Sequence, residues 1–81
     1  MAIDLESGFE IIRFSDLAYE EITVELQYRG EQIAQINKDR GLDRLEIEIL
    51  TDFIDRDFVP KFKLRDFLFA LSEAQKLLEE S

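Results

Sequence analysis

The sequence predicts an α+β fold, a four-stranded antiparallel β-meander with one C-terminal α-helix packed on one face. Residues 21–28 and 45–50 alternate apolar and polar side chains, which is typical of strands with one solvated face. Residues 64–80 place apolar side chains three and four positions apart, which is typical of an amphipathic helix. A chain of 81 residues holds one core, so we expect a single domain over residues 1–81.

The first two predicted strands cover residues 9–14 and 21–28, joined by a turn or short helical connection at residues 15–19. The second strand has the clearest alternation. Its side chains are expected to face the core at Ile22, Val24, Leu26 and Tyr28, and to face outward at Glu21, Thr23, Glu25 and Gln27.

The third predicted strand, residues 32–37, follows a tight turn in which Gly30 adopts a positive φ. Two registers of this hairpin are open, because a loop one residue shorter would invert the faces of the strand. We favour the register with a bulge at Gly30, which leaves Ile33 facing outward. In this register Ala34 and Ile36 lie beside Leu26 and Val24.

The fourth predicted strand, residues 45–50, turns Leu45, Ile47 and Ile49 to the core and Glu46 and Glu48 to water. A long connection over residues 51–63 follows. Three phenylalanines are expected to anchor it to the edge of the core, since exposing them would promote aggregation. They are Phe53, Phe58 and Phe62.

The predicted helix, residues 64–80, has an apolar stripe made of Leu64, Phe67, Leu68, Leu71, Ala74 and Leu78. Phe69 and Leu77 lie off this stripe, where they either widen the buried face or form a contact surface. The helix is expected to cover one sheet face at Ile22, Val24, Leu26, Ile47 and Ile49. The other sheet face is then left open.

The residue types present argue against catalysis. The chain has no cysteine and no histidine, which excludes thiol and imidazole nucleophile systems and zinc sites built from these ligands. Its three glycines are scattered and form no phosphate-binding loop. Asp52, Asp55 and Asp57 lack the spacing of a calcium loop, so a solvated turn is favoured over a metal site. We expect no enzymatic activity, no metal and no cofactor.

The net charge of −9 disfavours nucleic acid and anionic membranes as partners and favours a basic protein. No apolar run approaches the length of a membrane span. Residues 1–6 lack the apolar region of a signal peptide. A cytoplasmic location is therefore expected.

The open sheet face is the candidate partner-binding site. Its carboxylates and carboxamides, together with Thr23, would form a flat polar surface complementary to a lysine- and arginine-rich partner. A polar, solvated sheet face without a partner is the alternative interpretation. The candidate residues are Glu21, Glu25, Gln35, Asn37, Glu46 and Glu48.

The edges of the predicted meander offer a second route to association. Residues 45–50 form a short apolar edge strand, which could pair with a second copy or with a partner strand. Coverage of this edge by the long connection is the favoured alternative.

The chain resembles small acidic immunity proteins of bacterial contact-dependent and polymorphic toxin systems. The resemblance is carried by the turn at 16–21 (DLAYEE), the hairpin at 22–37, the turn at 38–41 (KDRG), the strand at 45–48 (LEIE) and the helix at 67–71 (FLFAL). It implies an acidic inhibitor that matches a basic nuclease toxin.

The leading hypothesis is thus an immunity or inhibitor protein that binds and neutralises a basic toxin or nuclease. A self-associating structural or regulatory module is the alternative, with homodimer contacts through residues 45–50 or through Phe69 and Leu77. A small accessory subunit of a larger enzyme is a third and weaker hypothesis.

Overall fold

A computed structural model describes residues 2–15 and 20–81 and shows an antiparallel sheet with a C-terminal helix. The α+β class is therefore confirmed. The elements in chain order are β1 (Ala2–Asp4), β2 (Phe9–Phe14), β3 (Thr23–Tyr28), β4 (Glu31–Asn37), β5 (Glu46–Ile49) and α1 (Leu64–Glu79). The strands lie side by side in the order of the sequence, as in a meander. Most of the connection expected at residues 15–19 lies outside the described residues.

Within residues 2–15 and 20–81 the sheet has five strands, so the prediction of four was wrong by one. Strand β1 pairs antiparallel with β2, where Ile3 lies opposite Ile11. A strand of three residues is too short to display an alternation that sequence reasoning can detect. Because β1 flanks β2, the edge strands are β1 and β5, whereas residues 9–14 were expected to form an edge.

The β3–β4 hairpin has the predicted register, with Leu26 opposite Ala34 and Val24 opposite Ile36. Its bulge, however, lies in the strands between Leu26 and Gln27 and not at Gly30. The reason is the turn, in which Arg29 (φ 48°) and Gly30 (φ 88°) both adopt left-handed backbone and close a tight two-residue loop.

The bulge changes the environment of Ile33. The residue has no direct partner across the hairpin and is buried in the hydrophobic core, whereas it was expected to face outward. A bulge breaks the strict alternation of side chains, so an extra residue can turn to the same face as its neighbour. Here Ile33 joins Ala34 on the helix side of the sheet.

The core lies between α1 and strands β2 to β4. Its buried side chains are Phe9, Ile11, Val24, Leu26, Ile33, Ala34, Ile36, Ala70, Ala74, Leu77 and Leu78. Leu77 is thus part of the buried face of the helix, and Phe69 is exposed. Leu64 and Leu68 were expected on the buried stripe but lie on an exposed flank. The small side chains of Ala70 and Ala74 let the helix approach the sheet closely and centre its buried face there.

Strand β5 lies beyond the reach of α1, which contacts only β2, β3 and β4. Ile47 pairs with the buried Ile36 and therefore points to the helix side, as predicted. Nevertheless Ile47 and Ile49 are 46% and 60% exposed, so the expectation that the helix covers them was wrong. A single helix is about 10 Å wide and covers about two to three strands spaced 4.8 Å apart. Leu45 and Ile22, outside the strands, are half-buried.

The connection between β5 and α1 is held to the core by aromatic contacts. Phe53, Phe58 and Phe62 are half-buried and pack against the core, as predicted. Phe62 contacts the rings of Phe9 and Tyr28 with centroids 4.9 and 4.8 Å away. The described helix is not of a length and apolarity that would cross a membrane.

Candidate partner-binding face

The sheet face opposite α1 can be assigned from the strand register. Ile11, Leu26 and Ala34 lie side by side and are buried in the core on the helix side. Side chains alternate along each strand, so their neighbours point away from the helix. We call these residues the acidic face: Ala2, Asp4, Glu10, Ile12, Phe14, Thr23, Glu25, Gln27, Gln32, Gln35, Asn37, Glu46 and Glu48.

The acidic face carries five carboxylates and no lysine or arginine. Arg13 is the one basic residue within a strand, and it pairs with Val24 on the helix side. Asp4 and Glu10 were missed by sequence reasoning. Predicting Asp4 required knowledge of strand β1. Predicting Glu10 required knowing which side chains of β2 point away from the helix, and residues 9–14 show no clear alternation.

One cross-strand row joins three of the predicted site residues. Gln35 on β4 lies between Glu25 on β3 and Glu48 on β5. Glu48 is exposed, whereas Glu25 is only 6% exposed, although no helix or strand among residues 2–15 and 20–81 packs on this side. Gln27 donates a hydrogen bond of 2.6 Å from its Nε2 to Glu25 Oε2. The centre of the face is therefore a fixed, hydrogen-bonded carboxylate, and its rim at β5 is solvated.

A second row ends the face near the β4–β5 turn. Asn37 pairs with Glu46, and both were predicted site residues. Asn37 is buried, and its Oδ1 accepts a hydrogen bond of 3.4 Å from the backbone N–H of Asp39. Arg40 Nε lies 3.6 Å from Glu46 Oε2, but both side chains are largely exposed. An exposed ion pair of this kind contributes about 0–1 kcal/mol, so Glu46 stays available to a partner.

Glu21 was predicted to belong to this face, but it lies outside β3, which begins at Thr23. Its backbone N–H donates to Asp39 Oδ1 at 3.0 Å, and the N–H of Glu20 donates to Asp39 Oδ2 at 3.1 Å. The Asp39 carboxylate thus accepts hydrogen bonds from two consecutive backbone N–H groups, so these groups are satisfied without pairing to another strand. The structure thus brings together five of the six predicted residues, without Glu21.

The far side of the acidic face holds a close pair of carboxyl groups. Asp4 on β1 lies opposite Glu10 on β2. A hydrogen bond shared with Asp4, partial desolvation and the Asp4 charge all raise the pKa of Glu10 above its ordinary value of 4.5. This pair places two carboxyl groups side by side at the β1 end of the face.

The aspartates of the long connection lie close together in the sequence, at positions 52, 55 and 57. Asp55 Oδ1 accepts a hydrogen bond of 2.9 Å from the backbone N–H of Asp57, which is a local turn contact. Within the part of the chain that the structure describes, no three acidic side chains are grouped as metal ligands.

Comparisons with protein-family models, with curated proteins and with solved structures give no match to this chain.

Proposed function

We propose that this chain is a protein-binding domain whose acidic face captures a basic partner protein. The observation that supports the proposal is a sheet face whose strand residues carry five carboxylates, four of them at least partly exposed, and no lysine or arginine. Rows of carboxylate attract a lysine- and arginine-rich surface and accelerate its capture. Amide side chains at Gln27, Gln32 and Gln35 add hydrogen-bond donors and acceptors to the same surface.

Within this proposal, the partner is a basic toxin or nuclease that the chain neutralises as an immunity or inhibitor protein in the cytoplasm. The support is the net charge of −9 together with the resemblance of the hairpin and helix segments to acidic immunity proteins. The acidic face would occupy the surface with which such a nuclease binds phosphates, because carboxylates and phosphates compete for the same cationic groups.

The test is affinity capture from the native cell, followed by mass spectrometry, with two variants of equal charge. In the face variant, Glu25, Glu46 and Glu48 are replaced by glutamine. In the control variant, Glu73, Glu79 and Glu80 on the C-terminal half of α1 and just beyond it are replaced by glutamine. Wild type and control are expected to retain the same basic protein, and the face variant is expected to lose it. Equal retention by both variants, or retention of no basic protein, would contradict the proposal.

A self-associating module is the second candidate function. It is supported by exposed apolar side chains beside the open β5 edge at Ile47, Ile49, Leu64 and Leu68, and by Phe69 on the other flank of α1. Leu77 is buried and takes no part in such a contact. Sedimentation at micromolar concentration distinguishes the two candidates, since a stable homodimer without a heterologous partner would favour self-association.

A further inference from the structure

The outer edge of β5 presents unpaired backbone groups. The N–H of Leu50 donates to the carbonyl of Ile33 at 2.8 Å. Together with the register, this bond shows which backbone groups of β5 point toward β4. Hydrogen-bonding direction alternates along an antiparallel strand, so the N–H and C=O groups of Ile47 and Ile49 point away from β4. No backbone group of residues 2–15 or 20–81 bonds to this edge, so the long connection, which was expected to cover it, does not pair with it. The edge can therefore accept one further strand.

An apolar groove runs beside this edge on the helix side. Its volume is about 320 Å³, and it is lined by Ile33, Ile49, Pro60, Phe62, Leu64 and Phe67. Leu64 is 70% exposed and Leu68, one helical turn later, is 54% exposed. A strand added to β5 would direct every second side chain into this groove, next to Ile47 and Ile49.

The opposite side of the same edge is acidic. Glu46 and Glu48 are both exposed on the acidic face, and Glu48 has no ion-pair partner among the residues described. The remaining side chains of an added strand would stand directly across from these two carboxylates. Opposite charges at such cross-strand positions are favourable, and like charges are unfavourable.

We propose that the β5 edge binds an extended segment of a partner protein in which apolar residues alternate with lysine or arginine. The apolar residues enter the groove beside α1, and the basic residues pair with Glu46 and Glu48. The charge of the segment rests on the function proposed above, while the strand pairing and the groove do not depend on it.

A second copy of the chain fits this edge less well than a basic segment. Pairing of β5 with β5 of another copy would bring the Glu46 and Glu48 carboxylates of both copies together on one face. Each close pair of like charges costs about 0.2–1 kcal/mol. Charge complementarity thus selects a basic strand over self-pairing.

The test measures binding of a capped peptide of about eight residues that alternates lysine and valine, long enough to pair with the four residues of β5. Ile47→Pro removes an outward N–H while keeping the β4–β5 ladder, because proline is tolerated where the N–H of an edge strand faces solvent. We expect this variant to weaken peptide binding by at least about tenfold. Unchanged binding in Ile47→Pro, or no wild-type binding at millimolar peptide, overturns the proposal.

A second variant keeps the test valid if Ile47→Pro disturbs folding. Ile49→Thr reduces the apolar contact of the groove and keeps a side chain suited to strands. Leu42→Thr is the matched control, since Leu42 is 56% exposed and lies outside the groove. Binding is expected to weaken about threefold in Ile49→Thr and to stay unchanged in Leu42→Thr. Equal effects of the two substitutions would refute a role of the groove.

Further peptides and variants separate this proposal from the function on which it rests. A peptide with the same composition in two blocks, lysines then valines, should bind more weakly than the alternating one. If an alternating threonine–valine peptide binds as tightly as the lysine–valine peptide, the attraction of Glu46 and Glu48 for basic residues is refuted, whereas strand addition at the β5 edge is supported. If the face variant no longer binds the peptide but Ile47→Pro still does, the function proposed for the acidic face is supported and strand addition at the β5 edge is refuted. A stable homodimer that Ile47→Pro dissociates would assign the edge to a second copy and overturn the partner segment.

Discussion

Glu31 shows how a single buried carboxylate holds the long connection in place. Its two carboxylate oxygens accept hydrogen bonds from the backbone N–H groups of Ile54 (2.7 Å) and Asp55 (2.9 Å). The side chain is buried at the start of β4, on the strand next to the β5 edge. It therefore ties the connection that leads to the apolar groove to the central hairpin.

We predict that Glu31→Ala lowers the free energy of unfolding by roughly 1–3 kcal/mol, since two N–H groups lose a charged acceptor. Glu31→Gln retains one acceptor oxygen and should cost less. Asp52→Ala, an exposed change in the same connection, is the control and should have little effect. Chemical denaturation of the three variants measures their free energies of unfolding. Equal values for Glu31→Ala and Asp52→Ala would refute the idea that Glu31 holds the long connection in place.

The Asp4–Glu10 pair leads to a prediction about pH. The pKa of Glu10 is raised in the folded state, so the folded protein binds the proton more tightly than the unfolded chain. Stability contributed by this site is present at low pH and declines as the pH rises from about 4.5 to the raised pKa. Glu10→Gln should therefore raise the melting temperature at pH 7 and give no gain below pH ~4. Thermal melts at both pH values test this, and a lower melting temperature of the variant at pH 7 would contradict it.

At the scale of elements, the helix shows what periodicity can and cannot predict. Apolar side chains at three- and four-residue steps predicted an amphipathic helix correctly. They assigned most of the buried side correctly, including Ala74, but the exposed Leu64 and Leu68 share the same steps and the buried Leu77 does not. The buried side is set by where Ala70 and Ala74 allow close approach to the sheet, which is a tertiary property.

We predict that two leucines of α1 contribute very differently to the free energy of unfolding. Leu78 is fully buried, so Leu78→Ala should lower the free energy of unfolding by about 2–5 kcal/mol. Leu64→Ala should lower it by at most about 0.5 kcal/mol, since this side chain is mostly exposed. Urea denaturation of the two variants provides the measurement, and similar losses would show that the helix sits differently on the sheet.

The strands show a similar division between local pattern and tertiary context. Alternation predicted the directions in which Val24, Leu26 and Glu25 point and the register of the hairpin. Glu25, however, was expected to be solvated and is only 6% exposed. The burial of Ile33 depends on a bulge inside the strands, and the exposure of Ile47 depends on how far the helix extends across the sheet. The alternation of apolar and polar residues predicts neither the position of a bulge nor how far a helix extends across the sheet.

At the scale of the whole molecule, the fold separates two surfaces with different chemistry. One side of the sheet packs the core and leaves an apolar groove at its β5 edge. The other side gathers carboxylates from β1, β2, β3 and β5, and no lysine or arginine of these strands points to it. The sequence predicted the acidic residues of β3 and β5 as one site, but the contribution of Asp4 and Glu10 needed the pairing of β1 with β2.

The most direct test of the acidic face is the salt dependence of the affinity for the captured partner. The dissociation constant of wild type, face variant and control variant is measured by calorimetry from about 50 mM to about 500 mM NaCl, a range that strengthens screening severalfold. We predict that the affinities of wild type and control fall by at least about tenfold over this range, and that the face variant binds weakly with little salt dependence. A wild-type dissociation constant that is the same at both salt concentrations would contradict it.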